Sequence, residues 1–182
     1  MNDVMLDIET LGNGSNAALV SIGAVGFDLS TGELGAEFNM KIDIETSTKY
    51  GDMDASTIKW WFKQSDKAQQ VFNARAFGLN TVLRKFTMWL ADNFDEKYVK
   101  VWGNGSGFDN VILANAYKST NMIIPWKHWN DRDVRTIVDL GRAIKNIDPK
   151  ATMQFEGIQH DALDDAKHQA KYVSAIFQAL NA

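Results

Sequence analysis

The sequence predicts an α/β fold in which helices pack on a mixed β-sheet. Period-two alternation dominates residues 4–42, and helical periodicity dominates from residue 54 onward. A short strand-like segment at 99–102 interrupts the helices, and strands followed by interleaved helices and strands are typical of a mixed sheet. With 45% apolar and 23% charged residues among 182, the composition is that of an ordinary globular protein.

Three strands are predicted in the first part of the chain, at residues 4–10, 17–27 and 33–42. Turn-forming residues at 28–32 predict a hairpin between the second and third strands. The segment 12–16 joins the first two strands and has two interpretations. It is an ordinary hairpin loop, or a loop whose small residues let a ligand approach the backbone.

Helices are predicted from residue 54, where an Asp or Ser cap precedes Ile58, Trp61 and Phe62. A longer helix at 80–94 carries one apolar stripe, which is typical of a helix that packs on a sheet. Further helices are predicted at 109–117 and 134–144, followed by a final helix with an apolar face. We expect one domain that covers residues 1–182.

The composition also bounds the chemistry. The chain has no cysteine, which excludes disulfides and thiolate ligands, so any metal must be held by oxygen or imidazole. The first residues lack the pattern of a signal peptide and no segment is apolar enough to span a membrane, so we expect a cytoplasmic protein. The net charge of −4 gives no general attraction to nucleic acid, although bound cations would reverse the sign locally.

The first strand carries two acidic side chains in an otherwise apolar segment. The period of a strand points Asp7 and Glu9 to the same face. Two like charges roughly 7 Å apart on a partly buried strand are unfavourable unless a cation or hydrogen-bond donors neutralise them. A divalent metal site is one interpretation, and an edge strand with a solvated acidic face is the other.

Two further segments supply matching chemistry, a glycine-rich stretch at 102–110 that contains Asp109, and the stretch 160–166 that contains His160 and Asp165. Asp7 with Glu9, then Asp109, then His160 with Asp165 occur in the order of the motifs of a nuclease superfamily. The chain resembles the DEDDh exonucleases from its first strand to its last helix. That resemblance implies a ribonuclease H-like fold, a mixed central sheet with the first strand central and helices on both faces.

Within this superfamily, the segments Thr-Ile-Lys-Trp-Trp at 57–61 and Arg-Asp-Val-Arg-Thr at 132–136 are similar to those of compact phage and prophage exonucleases and the related bacterial exoribonucleases. Hard cations prefer oxygen ligands, which carboxylates on separate elements provide. The resemblance implies that Asp7, Glu9, Asp109 and Asp165 bind two Mg²⁺ or Mn²⁺ ions. It also implies that Asp7 bridges the ions and that Glu9 serves the ion nearest the attacking water.

His160 is the predicted general base, because an imidazole with a pKa near 6.5 suits proton removal at neutral pH and the family implies this role. His128 and His168 lack such a context, and His168 is interpreted as structural. Asp161 and Asp164 suit the positive end of the last helix, and Asp164 remains an alternative to Asp165 as a ligand. Asp109 has a similar alternative role at its own helix start.

Substrate contacts are predicted at four positions: Thr10, Leu11, Trp61 and Asn104. An aromatic ring at 60–62 could stack on a terminal base, with core packing as the alternative for each ring. Asn104 could offer hydrogen bonds to base or sugar, or belong to an ordinary strand-to-helix turn. Arg132 and Arg135 have two interpretations, phosphate contacts or solvated charges at a helix start.

These features predict a metal-dependent 3′-to-5′ exonuclease that releases nucleoside 5′-monophosphates from single-stranded nucleic acid, with DNA favoured over RNA. An exoribonuclease that trims RNA 3′ ends is the second interpretation. A ribonuclease H-like module that binds nucleic acid or protein without catalysis is the third. The predicted partners are a single strand with a free 3′ end and a second copy of the chain in a homodimer, with no membrane.

Overall fold

The computed structural model describes all 182 residues and contains a five-stranded mixed sheet. Its strands run in the order β3-β2-β1-β4-β5. β1 pairs antiparallel with β2 and parallel with β4, β2 pairs antiparallel with β3, and β4 pairs parallel with β5. The strands are β1 (Asp3–Thr10), β2 (Leu19–Phe27), β3 (Leu34–Lys41), β4 (Lys100–Gly103) and β5 (Asp131–Asp133). The central position of β1 agrees with the prediction.

Eight α-helices follow or interleave with the strands. They are α1 (Ile44–Ser47), α2 (Ala55–Trp61), α3 (Asp66–Gln69), α4 (Leu79–Asn93), α5 (Asp109–Ser119), α6 (Val134–Leu140), α7 (Pro149–Thr152) and α8 (Ala162–Asn181). A π-helical turn, Gly141–Lys145, extends α6, and two short 3₁₀ turns lie at Gln70–Phe72 and His128–Asn130. None of these helices combines the length and apolarity needed to cross a membrane.

Helices cover both faces of the sheet, as predicted. The even-numbered residues of β1, such as Val4 and Leu6, pack in a core with α4 and α5. Met5, which points to the other face, packs in a second core with α6 and α8. Because side chains alternate along a strand, Asp7 and Glu9 share the face of Met5 and point toward α8.

The predicted hairpin between β2 and β3 is present, but β2 begins two residues later than expected. Ala17 forms an isolated bridge with Asp52, and the Ala18 N–H donates to the Asp52 carbonyl, so this stretch pairs outside the sheet. The sequence patterns did not predict β5, α1, α3 or α7. Elements of three or four residues are too short to establish a hydrophobic period.

The start of α8 lies directly against β2 at Gly23. A Cβ at Gly23 would lie 2.1 Å from the carbonyl carbon of Ala162 and 2.2 Å from the nitrogen of Leu163. Gly23 is opposite Asp7 in the β1–β2 register. The absence of a side chain at Gly23 therefore brings the first turn of α8 onto the sheet beside the two acidic residues of β1.

We expect Gly23→Ala to destabilise the protein, because its methyl group would overlap the backbone of α8. Overpacking of this kind costs about 1 to 3 kcal/mol, which corresponds to a fall in Tm of roughly 2 to 12 °C for a chain of this length. Thermal unfolding by circular dichroism measures the change. Gly14→Ala is the matched control, because a Cβ at Gly14 would have no neighbour within 4 Å. Equal Tm values for the two variants would contradict the close packing described for Gly23.

Candidate active site

The acidic residues of β1 line a cleft of about 790 Å³, which lies near the carboxyl ends of the parallel strands β1 and β4. Crevices at this edge are a common location for ligands in α/β sheets. The carboxyl groups of the cleft come from β1, α5 and α8. Its lining comprises Asp7, Ile8, Glu9, Trp60, Asn104, Phe108, Asp109, Arg135, Lys150, Met153, Phe155, Gln159, His160, Asp165, His168, Gln169 and Tyr172.

Asp7 is half-buried and is held by a single side-chain hydrogen bond. The Gln169 amide nitrogen donates to Asp7 Oδ1 at 2.8 Å. Gln169 lies four residues after Asp165 on α8, so the two side chains share one helix face and meet Asp7 together. The hydrogen bond fixes one oxygen of Asp7 and leaves the other available for a ligand.

Asp109 is the first residue of α5 and is 3% exposed. The Asn104 N–H donates to Asp109 Oδ2 at 2.9 Å. α5 can start this close to β4 because Gly103 has no side chain. A Cβ there would lie 2.3 Å from Asn110 Oδ1 and 3.0 Å from Asp109 Cβ.

Asp165 and His160 are joined through the backbone, since the His160 N–H donates to Asp165 Oδ2 at 2.8 Å. One ligand atom from each of Glu9, His160 and Asp165 lies within 4.8 Å of the others. Asp164, the sequence-based alternative to Asp165, does not line this cleft, and its carboxylate accepts from the Ile158 N–H at 2.8 Å.

The N-terminus of α8 is fixed to the edge strand β3. Asp161 caps α8 by accepting from the N–H groups of Leu163 and Asp164. Its carboxylate also pairs with Lys41 Nζ at 2.7 Å and accepts from Asn39 Nδ2 at 3.3 Å. These contacts hold the segment that carries His160 and Asp165, and they account for Asp161 as a structural residue.

Burial raises the pKa of all four carboxyl groups in the cleft. The pKa values of Asp7 and Glu9 lie well above their usual range, because repulsion from neighbouring carboxylates adds to the burial. Burial raises the pKa of Asp109 to about 7 and that of Asp165 to about 6, although backbone N–H donors oppose the shift in both. The ionised cluster is therefore unfavourable without added positive charge.

This donor set fits divalent cations. Four carboxyl groups and an imidazole converge from three parts of the chain, and Mg²⁺ and Mn²⁺ prefer oxygen ligands of this kind. A bound cation would offset the cost of burying these charges and, for Asp7 and Glu9, the repulsion from the neighbouring carboxylates.

His160 lies beside the carboxyl groups in a constrained conformation. Its φ of 67° places it in the left-handed region, which is uncommon for residues other than glycine. The ring packs edge-to-face against Trp60 at 4.8 Å and Trp61 at 6.4 Å between centroids. Burial lowers the pKa of His160, which favours the neutral imidazole that can accept a proton.

Of the four predicted substrate contacts, one lines the cleft and three do not. Asn104 lines the cleft, whereas Thr10 and Leu11 are 7% and 3% exposed and do not line it. Trp61 is 3% exposed, and its indole N–H donates to the Thr10 carbonyl at 2.9 Å. Trp61 therefore has almost no surface to offer a base, and its neighbour Trp60, which is 40% exposed, lines the cleft instead.

The Arg-Asp-Val-Arg-Thr segment divides between two roles. Arg132 donates to the Asp131 carbonyl at 2.8 Å and does not line the cleft. Asp133 caps α6 and accepts from the Ser106 N–H at 2.7 Å. Arg135 lines the cleft and donates to the Asn104 carbonyl at 3.2 Å.

Sequence reasoning missed Gln169 and Tyr172, which line the cleft from α8. The spacing of Gln169 from Asp165 was the available signal, because residues four apart share a helix face. Tyr172 is 1% exposed, and burial raises the pKa of its hydroxyl. A buried tyrosine on an apolar helix face gives no sequence signal that separates it from the core.

Comparisons with known proteins agree with this geometry. A family model described as the 3′-5′ exoribonuclease Rv2179c-like domain matches residues 2–177. The exodeoxyribonuclease of Enterobacteria phage T4 is 26% identical over 193 aligned positions, which cover 91% of this chain and 84% of the phage protein.

Two solved structures have the same fold. The nuclease domain of 3′hExo, a DEDDh family member bound to rAMP, has a TM-score of 0.67 at 16% identity, with coverage of 97% of this chain and 91% of that domain. E. coli Exonuclease I in complex with a dT13 oligonucleotide has a TM-score of 0.68 at 13% identity, with coverage of 96% of this chain and 40% of that longer chain. The predicted ribonuclease H-like fold and DEDDh resemblance are confirmed.

We expect the stability of the metal-free protein to fall as the pH rises from about 5 to about 8. Carboxyl groups whose pKa is raised by folding bind more protons in the folded state within this window, so deprotonation costs stability. Asp7→Asn removes one charge from the cluster and should raise the Tm in chelator at about pH 8 by a few degrees. Differential scanning fluorimetry across the pH range measures both effects.

Asp28→Asn is the control for this experiment. The backbone N–H groups of Ser30 and Thr31 lower the pKa of Asp28 in an exposed turn, so this carboxyl group stays ionised across the tested range. Its replacement should therefore leave the dependence of Tm on pH unchanged. A flat or rising Tm for the wild type across this range, or no gain for Asp7→Asn, would contradict the repulsion among the carboxyl groups.

Proposed function

This chain belongs to the Rv2179c-like family of 3′-5′ exoribonuclease domains, and we propose that it is a metal-dependent 3′-to-5′ exonuclease of single-stranded nucleic acid. The observation that carries the proposal is the convergence of Asp7, Glu9, Asp109, Asp165 and His160 in one cleft. These residues occur in the order of the DEDDh motifs. Their elevated carboxyl pKa values support a site that is completed by cations.

The favoured substrate in this proposal is DNA. The similarity to the phage exodeoxyribonuclease extends over 91% of this chain and supports DNA. RNA is the second candidate, because the matching family model is described as an exoribonuclease domain. A 2′-hydroxyl would be recognised by few contacts near the terminal sugar, so a small change in the cleft could decide between the polymers.

Asp7, Glu9, Asp109 and Asp165 would hold two Mg²⁺ or Mn²⁺ ions. When bound, such a pair of ions neutralises charge on the scissile phosphate, lowers the pKa of water and stabilises the leaving oxygen. Gln169 would keep Asp7 oriented for this role, since its amide occupies only one carboxylate oxygen.

In the proposed reaction, His160 accepts a proton from the attacking water at an imidazole nitrogen. The water oxygen forms a bond to phosphorus as the bond from phosphorus to the 3′-oxygen of the preceding nucleotide breaks. The 3′-oxygen takes up a proton from solvent and His160 releases its proton to solvent, so the products are a nucleoside 5′-monophosphate and a strand shortened by one nucleotide. The edge-to-face contacts with Trp60 and Trp61 restrict the ring of His160, which favours a fixed position for the base.

A non-catalytic binding module is the competing class of function. If such a fold had lost catalysis, we would expect a metal ligand or the general base to be replaced first. All five motif residues are present in this chain, and all five line the cleft. These two observations support the enzyme.

The first experiment is a time course with 5′-labelled single-stranded DNA and RNA of one sequence, each with Mg²⁺, Mn²⁺ or chelator. We expect ladders that shorten from the 3′ end, that require metal, and that Asp7→Asn abolishes without loss of folding. The faster polymer identifies the substrate class. Degradation in chelator, or wild-type rates in the Asp7 variant, would refute the metal-dependent mechanism, and no degradation of either polymer would favour the binding module.

We expect His160→Asn to lower turnover by about two to four orders of magnitude, because general-base catalysis contributes about that much. Asparagine adopts the left-handed region more readily than alanine, so this variant limits the change to the imidazole. Single-turnover kinetics measure the rate. His128→Asn removes a histidine that does not line the cleft and serves as the control. Equal rates for the two variants would assign the base to another residue.

A further inference from the structure

Two cationic side chains line the cleft without an ion pair. Arg135 on α6 and Lys150 on α7 are both exposed, and the seven salt bridges of the protein involve other residues. Arg135 donates only to the Asn104 carbonyl, and the Lys150 side chain donates no hydrogen bond within the protein. Both charges are therefore available to a ligand in the cleft.

The stability of the helices does not account for these two cations. Arg135 and Lys150 each occupy the second position of their helix, directly after an aspartate cap and one intervening residue. The caps, Asp133 and Asp148, already satisfy backbone N–H groups at these ends. The N-terminal end of a helix carries partial positive charge, so a cation there is unfavourable for the helix.

We propose that Arg135 and Lys150 bind backbone phosphates of the single strand whose 3′ end reaches the carboxyl groups. This inference rests on the proposed function and extends it to the contacts that hold the strand. Four carboxyl groups in the same cleft repel a polyanion, and the protein carries a net charge of −4. Cations among the cleft lining would offset that repulsion where the strand enters.

The neighbouring lining residues suit a strand whose bases are not read individually. Met153 and Phe155 follow Lys150 in the chain, and Phe108, just before α5, also lines the cleft. Apolar and aromatic surfaces accept any base by stacking, whereas phosphate contacts fix the position of the strand without reading its sequence. The contribution of both cations should therefore be the same for different sequences and for DNA and RNA.

The guanidinium of Arg135 and the ammonium of Lys150 differ in the contact that each can make. A guanidinium can engage two phosphate oxygens at once, whereas an ammonium acts as a point charge. Each contact releases counterions from the strand, so each contributes about 0.7 to the slope of log affinity against log salt for single strands. This slope measures phosphate contact directly.

The test is fluorescence anisotropy of a labelled single-stranded oligothymidylate in chelator, titrated with the full chain between about 50 and 200 mM NaCl. Arg135→Gln and Lys150→Gln should each reduce the salt slope by about 0.7, and the double variant by about 1.4. Over this fourfold salt range, each lost contact removes a roughly 2.5-fold dependence of affinity on salt. Arg135→Lys keeps the charge and should retain the slope of the wild type.

Arg84→Gln and Lys85→Gln are the matched controls, because both cations are exposed on α4, outside the cleft, and form no salt bridge. The inference is overturned if the cleft variants have the same slope as these controls. Because binding is measured without metal, a failed inference is distinguishable from a failed function. Unchanged slopes with intact cleavage reject the phosphate contacts, whereas altered slopes without cleavage reject the exonuclease and retain the contacts.

Discussion

Repulsion among the four carboxyl groups of the cleft is the interaction that the rest of the structure opposes. Burial raises the pKa of all four groups, and repulsion from the other carboxylates adds to the shift for Asp7 and Glu9, so their convergence lowers the stability of the metal-free protein. Apolar cores on both faces of the sheet supply the compensating stability. Gln169 and several backbone N–H groups hold individual carboxylates in place. The acidic cluster therefore lowers the stability of the protein locally, and the packing of the two cores offsets that loss.

Positions without side chains set the distances within this cluster. Gly23 allows the backbone of α8 to lie on β2, and Gly103 allows α5 to begin against β4. Any larger residue at either position would move a helix, and with it Asp165 or Asp109, away from β1. The polar contacts of Asp161 with Lys41 and Asn39 then fix the end of α8 along the sheet. Close backbone packing therefore sets how near α5 and α8 come to the sheet, and the side-chain contacts of Asp161 set where the end of α8 lies along it.

The sequence predicted the parts of the site that depend on local geometry. The period of a strand placed Asp7 and Glu9 on one face, and motif order indicated Asp109, His160 and Asp165. It did not separate Trp60 from Trp61, because two adjacent rings on one helix differ only in what packs against them. Gln169 and Lys150 also escaped prediction, since their positions in the cleft depend on tertiary contacts. Short elements such as β5 and α7 carried no period from which to predict them.

The order of the site elements along the chain has a consequence for biosynthesis. β1, α5 and α8 contribute the carboxyl groups, and α8 comes last among them. Because a chain emerges from the ribosome N-terminal end first, β1 to α6 would be exposed to the cell before His160 and Asp165 are available. The nascent chain would then carry an incomplete acidic cluster with no base. Its proposed nuclease activity would arise only when α8 has been synthesised and packs against β2 at Gly23.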